Sequence, residues 1–142
     1  MKNLFDKIII NTLTPADHPA VMALWKRAEL SISPVDEREG YEVVLSRNPT
    51  TCLGLWDGDR LVACVVGTWD GRRAFVNHLA VEADYRHQGL GTRLMKELEV
   101  RFRALGVTRA HLFIEARNPH LLKYYESLGW YKRDLTMMSI DL

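Results

Sequence analysis

Ala74-Phe75-Val76-Asn77-His78-Leu79-Ala80-Val81, then Arg86-His87-Gln88-Gly89-Leu90-Gly91, then an amphipathic run from Leu90 to Leu105, reads as strand, glycine turn and helix. Two glycines one residue apart let the backbone bend tightly. They leave several N–H groups unpaired at a helix start, where partial positive charge favours a phosphate. A Gly-x-Gly before a helix also serves as a plain turn, so the hexamer alone leaves both readings open. Beyond it, Leu90, Leu94, Leu98, Phe102 and Leu105 share one helix face, and Gly106 sits where a C-terminal glycine cap belongs.

Upstream, Thr51 to Trp56 and Leu61 to Trp69 are β-rich runs joined by Asp57-Gly58-Asp59-Arg60, and Asp70-Gly71-Arg72 turns the chain into Ala74 to Val81. Three successive antiparallel strands are expected. Before them, residues 7 to 13 suit a strand, and Thr14-Pro15-Ala16-Asp17 starts a helix whose apolar face is Val21, Leu24, Trp25 and Ala28. Ser31 to Glu39 reads as a loop, either a plain connector or a cover over a substrate, and Arg38 to Arg47 as a second helix. Downstream, the pattern predicts a strand over Arg109 to Ile114, a helix over Asn118 to Leu128 and a final strand over Tyr131 to Leu142. The resulting order, β-α-α-β-β-β-α-β-α-β, describes an α/β chain (α+β, mixed sheet) forming one domain over residues 1–142.

The composition is that of an ordinary globular protein: 142 residues, 47% hydrophobic, 26% charged, formal net charge +1. That charge gives no reason to expect nucleic acid or an anionic membrane as partner. Cys52 and Cys64 lie in apolar runs rather than in Cys-x-x-Cys spacing, which favours buried thiols over a metal site. No run approaches the ~20 apolar residues of a membrane span. A cytoplasmic location is expected.

Ligands of open α/β sheets tend to sit in the crevice at the carboxyl ends of parallel strands, and the glycine turn and Glu115 to Pro119 both leave strands there. Asn118 is either a helix cap or a side chain that reaches a ligand amide. Tyr125 shares its helix stripe with Leu121 and Leu128, so it is either a core tyrosine or a proton donor to the crevice.

Arg86-x-x-Gly89-x-Gly91 after an apolar strand, followed by Asn118, Tyr125, Glu126, Leu128, Gly129 and Trp130, resembles the GNAT N-acetyltransferases, most of all small bacterial members of the YpeA type. The resemblance spans nearly the whole chain. It implies acetyl-CoA as donor, a primary amine of a small molecule or peptide as acceptor, and no metal. The turn residues His87, Gln88, Gly89, Gly91 and Thr92 would offer N–H groups to the pyrophosphate, with Arg86 adding charge. The backbone of Leu79 and Val81 would pair with the pantetheine arm, and an N–H near Leu79 would stabilise the oxygen charge of the tetrahedral intermediate. Asn118 would hold the cofactor arm. Tyr125 falls where the family's tyrosine protonates the departing thiolate.

An alkyl ammonium of pKa ~10.4 must lose a proton before it attacks, so an acceptor is needed. His78 is the obvious type. By strand alternation, however, it faces away from Phe75, Asn77 and Leu79, which favours water-mediated deprotonation with Asn77 orienting the water. Glu115, or a carboxylate of the Ser31 to Glu39 loop, is the lesser helper; Asp36, Glu37 and Glu39 there either suit a cationic amine or are simply solvated, and the solvated reading is favoured. Ribosomal-protein alanine acetyltransferases carry a glutamate at the position of Phe113, a departure that weakens transfer of their substrate to this chain.

Two rivals stand beside the enzyme. One is a non-catalytic acyl-CoA-binding sensor, which needs the turn but neither Tyr125 nor a base. The other, a Rossmann or P-loop nucleotide domain, is disfavoured because no Lys-Ser/Thr pair follows the turn. The edge of the final strand suggests a homodimer.

Overall fold

The computed structural model describes residues 4–142. Internal contacts divide the chain into two compact units, Met1–Leu112 and Phe113–Leu142.

The first unit holds a five-stranded sheet in the order β1-β2-β3-β4-β5, with β1 Ile8–Thr12, β2 Cys52–Asp57, β3 Arg60–Trp69, β4 Ala74–Val81 and β5 Ala110–His111. Sequential hairpins make the first three pairings antiparallel, and the helical crossover from β4 makes β4–β5 parallel, as the order of elements requires. At the β2–β3 hairpin Asp57 pairs with Arg60, and Gly58 supplies the left-handed φ of 60° that a two-residue turn demands.

Helices α2 (His18–Arg27) and α3 (Arg38–Arg47) belong to one core, where Val21, Leu24, Trp25, Tyr41 and Leu45 cluster with Cys52, Cys64, Val66 and Ala80 of the sheet. Helix α4 (Leu90–Ala104) also packs on the sheet and buries Leu90, Leu94, Met95, Leu98 and Phe102. The predicted stripe thus holds except at Leu105, which lies past the helix end and is exposed. Both cysteines are buried free thiols, and burial pushes each up to about 12, which keeps them inert. No helix of the described residues is long and apolar enough to cross a membrane.

A short helix, α1 (Leu4–Lys7), precedes β1 and was not expected from the sequence. The strand expected over Arg109 to Ile114 contracts to the two residues of β5, paired with Ala74 and Phe75.

In the second unit, α5 (His120–Ser127) turns Tyr125 inward against the rings of Tyr124 and Trp130. The final strand expected over residues 131–142 does not form. Its alternation is broken by Lys132-Arg133-Asp134 and by the adjacent Met137 and Met138, and a strand gains its hydrogen bonds only from a partner ladder. Leu135, Met137, Met138 and Ile140 are instead exposed. The edge-strand argument for a homodimer goes with it.

At Gly67 of β3 the side chains of α4 pack tightly against the sheet. A Cβ there would stand 2.6 Å from Leu98 Cδ1 and 2.8 Å from the carbonyl oxygen of Thr51, which accepts the Gly67 N–H. Gly67→Ala should therefore cost about 1–3 kcal/mol, read as a lower urea midpoint at unchanged m-value.

Candidate functional site

The register of β3 and β4 breaks at one place. Val66 pairs with Asn77 and Cys64 with Ala80, so Val65 alone faces both His78 and Leu79. This is a β-bulge, and His78 takes the left-handed φ of 51° that accommodates the extra residue. Partners across a sheet share a face, so Asn77 and Ala80 lie on the α2–α3 side although they are three positions apart, an offset that regular alternation would put on opposite faces.

The expectation that His78 points away from Asn77 is therefore wrong: strict alternation fails at the bulge. Both residues line one cavity of about 430 Å³, walled by Trp25, Ile32, Val35, Val44 and Val66, with Ser33, Asp36 and Thr68 among its polar groups. The His78 ring packs on Trp25 with centroids 4.7 Å apart. Its Nε2 lies 3.3 Å from Asp36 Oδ2.

Asp36 is held by local chemistry. Ser33-Pro34-Val35-Asp36 forms a 3-10 turn in which the Ser33 N–H and Oγ donate to Asp36 Oδ2 at 3.0 and 3.4 Å. The arrangement repeats that of Thr14-Pro15-Ala16-Asp17, where the Thr14 N–H donates to Asp17 Oδ2 at 2.8 Å. The side chain of Asp36 is only 16% exposed, so it is not the solvated charge its loop position suggested. The repeated Ser/Thr-Pro-x-Asp pattern was the available signal. Residues 31–39 line the cavity through Ser31, Ile32, Ser33, Val35 and Asp36, which goes beyond a plain connector.

Along the other edge of β4, pairing to β5 stops at Phe75, so the strand runs on past its last partner there through Leu79 to Val81. Glu82 follows, buried with its amide on the Val62 carbonyl and its carboxylate held by Arg27 Nε at 3.1 Å to both oxygens and by Arg27 Nη2 at 2.6 Å. Arg86 Nε donates to the Val81 carbonyl at 3.0 Å, and Arg86, Val81 and Arg27 line a second cavity of about 310 Å³.

The glycine turn has the expected form. His87 and Gly89 have φ of 61° and 80°, and the first helical bond of α4 runs from the Arg93 N–H to the Gly89 carbonyl at 3.0 Å. The Leu90 and Gly91 amides, in the helix's first turn, thus have no intrahelical acceptor. Gln88 Nε2 is tied to the Asp84 carbonyl at 3.2 Å, which leaves its backbone as the part available to a ligand.

Asn118 and Tyr125 belong to the second unit. The Asn118 carbonyl accepts the Leu121 N–H at 3.1 Å, but its side chain makes no cap and Pro119 holds the cap position. Burial pushes the Tyr125 phenol up to about 12. The structure thus brings Asn77, His78, Leu79 and Val81 onto one strand, residues 86–89 onto the turn beyond it and residues 90–92 into the first turn of α4.

The sequence profile described as the acetyltransferase (GNAT) family matches residues 16–130, across both units. An acetyltransferase of Pectobacterium atrosepticum is 30% identical over 114 residues, 80% of this chain and 81% of that protein. Among solved structures, the ribosomal-protein-S18-alanine N-acetyltransferase of Escherichia coli superposes with a TM-score of 0.70 at 25% identity, covering 86% of this chain and 76% of that one. The PaiA N-acetyltransferase of Thermoplasma acidophilum, solved with coenzyme A, reaches 0.76 at 18% identity, covering 91% and 92%.

The Arg27 guanidinium holds the Glu82 carboxyl below the usual carboxylate range. A depressed folded pKa means that the pairing stabilises fully above the ordinary carboxylate pKa and is lost as pH falls through the lowered value. Glu82→Gln should cost about 2 kcal/mol near neutral pH. Urea titrations at about pH 7 and about pH 3 should show that gap narrowing in acid.

Proposed function

The chain belongs to the GNAT acetyltransferase family, and from that premise we propose that it moves the acetyl group of acetyl-CoA to a primary amine. The observation that carries the reading is the continuity of β4: its unpaired edge leads into the glycine turn at the start of α4. A strand edge offers alternating N–H and C=O groups to an extended amide chain, and the helix start offers amides to a diphosphate. The residues present therefore fit the donor.

Acetyl-CoA supplies an activated acyl thioester. The chain's own part is to bind and orient it: backbone groups of Leu79 and Val81 face the pantetheine amides, and the amides from His87 through Thr92 face the pyrophosphate. Arg86 keeps Nη1 and Nη2 for charge while Nε stays on Val81. At the bulge, the N–H of Leu79 is opposite no residue of its own in β3, which suits it to an oxygen carrying developing charge. Asn118 serves the cofactor arm.

Tyr125 acts on the leaving sulfur. A phenol at about 12 is a weaker acid than a thiol of pKa ~8.5, so its contribution is a hydrogen bond to the developing thiolate more than complete proton transfer. Tyr125→Phe should accordingly lower kcat about 10- to 1000-fold, short of abolition. A loss below about twofold contradicts the role.

The reading is tested by thermal shift with acetyl-CoA alone, run beside thiol release with a panel of amines, peptides and aminoglycosides. Stabilisation with turnover is expected. Stabilisation without turnover on any acceptor favours the acyl-CoA sensor, and no stabilisation removes the donor claim. A homodimer remains our expected assembly, now resting on the exposed Leu135, Met137, Met138 and Ile140 rather than on a strand edge. Light scattering should give twice the chain mass, and a monomer at all concentrations rejects it.

A further inference from the structure

We propose that His78, positioned by Asp36, is the general base that takes the proton from the acceptor amine, and that the cavity beside it receives a cationic amine with an apolar body. The inference rests on the acetyl-transfer reading above and adds the acceptor's half of the site.

Three observations carry it. The bulge turns His78 into the cavity, where Nε2 faces Asp36 Oδ2 at 3.3 Å and the ring lies on Trp25. Nδ1 has no hydrogen-bond partner among the described residues. In the neutral tautomer with Nε2–H donated to the carboxylate, Nδ1 therefore carries a free lone pair. Finally, Asp36 is the only carboxylate in a lining that has no lysine or arginine, so the cavity favours a cation, while Trp25, Ile32, Val35, Val44 and Val66 favour an aliphatic or aromatic body.

The step balances. One N–H bond of R–NH3+ breaks, its electron pair stays on nitrogen as the attacking lone pair, and the proton forms a bond to Nδ1. The imidazolium so formed has the Asp36 carboxylate on its other nitrogen and the Trp25 ring against its face, both of which stabilise the positive charge. The proton leaves to water after the product.

The titratable groups around this pair are few. The 3-10 turn brings Asp36. Helix α3 brings Tyr41, whose hydroxyl donates to the Thr14 carbonyl at 2.7 Å and which burial keeps protonated well above the usual phenol range. Helix α2 brings His18, with Nε2 3.1 Å from the Asp36 carbonyl oxygen, beside the neutral Trp25. Strands β3 and β4 add only Val66, Thr68 and Asn77.

The test compares wild type, His78→Asn and Asp36→Asn on the best amine of the panel. Asparagine tolerates a left-handed backbone, so the bulge survives the first substitution. With acetyl-CoA stabilisation unchanged, His78→Asn should lose about 100- to 1000-fold in kcat/KM near neutral pH and under tenfold near pH 10, where the amine sheds its own proton. Asp36→Asn should lower kcat and raise KM for the amine, with KM for acetyl-CoA unmoved. A His78→Asn deficit under threefold, or one that does not shrink at alkaline pH, overturns the base assignment and leaves acetyl transfer standing. A wild type that neither binds acetyl-CoA nor turns over an amine overturns both.

Discussion

One extra residue in β4 organises the molecule. Val65 of β3 faces His78 and Leu79 together, and His78 absorbs the mismatch with a positive φ. A left-handed backbone at a residue other than glycine costs on the order of 1 kcal/mol and persists only where its surroundings hold it. Here the Trp25 ring and the Asp36 carboxylate do so. Without the bulge, Asn77 and His78 would point to opposite faces of the sheet. With it, they open on the same cavity, and Leu79 has no partner of its own in β3.

The two halves of the same strand are covered differently. From Ala74 to Phe75 it is paired with β5, and beyond that its edge runs on to Val81 and the turn that starts α4. The bulge lies in this second half. In the proposed reaction a donor along that edge and an acceptor in the cavity would meet at His78 and Leu79; the Arg27–Glu82 pair anchors α2 where the strand ends.

Much of this was legible in the sequence. Arg38 to Arg47 is a helix at the predicted bounds, the Asp57–Arg60 hairpin forms, and the glycine turn opens α4. These features depend on local chemistry, namely periodicity, turn residues and caps. The side of the strand on which His78 lies was not legible, because a bulge is set by the register between two strands and leaves no mark in the alternation of one. Asp36 was hidden for a similar reason. Its capping pattern is local, but its place beneath His78 depends on a contact between residues 42 positions apart. The final strand failed in the opposite sense: residues 131–142 carry enough apolar positions to suggest a strand, yet Lys132-Arg133-Asp134 and the adjacent Met137 and Met138 interrupt the alternation, and a strand exists only where a ladder receives it.

The most direct measurement of this account is a crystal structure with coenzyme A bound. It should show His78 at a left-handed φ with Nε2 on Asp36, the pantetheine along Leu79 to Val81 and the pyrophosphate on the amides from His87 to Thr92. A regular β4 with His78 turned to the α4 face, or a coenzyme lying away from that edge, would contradict it.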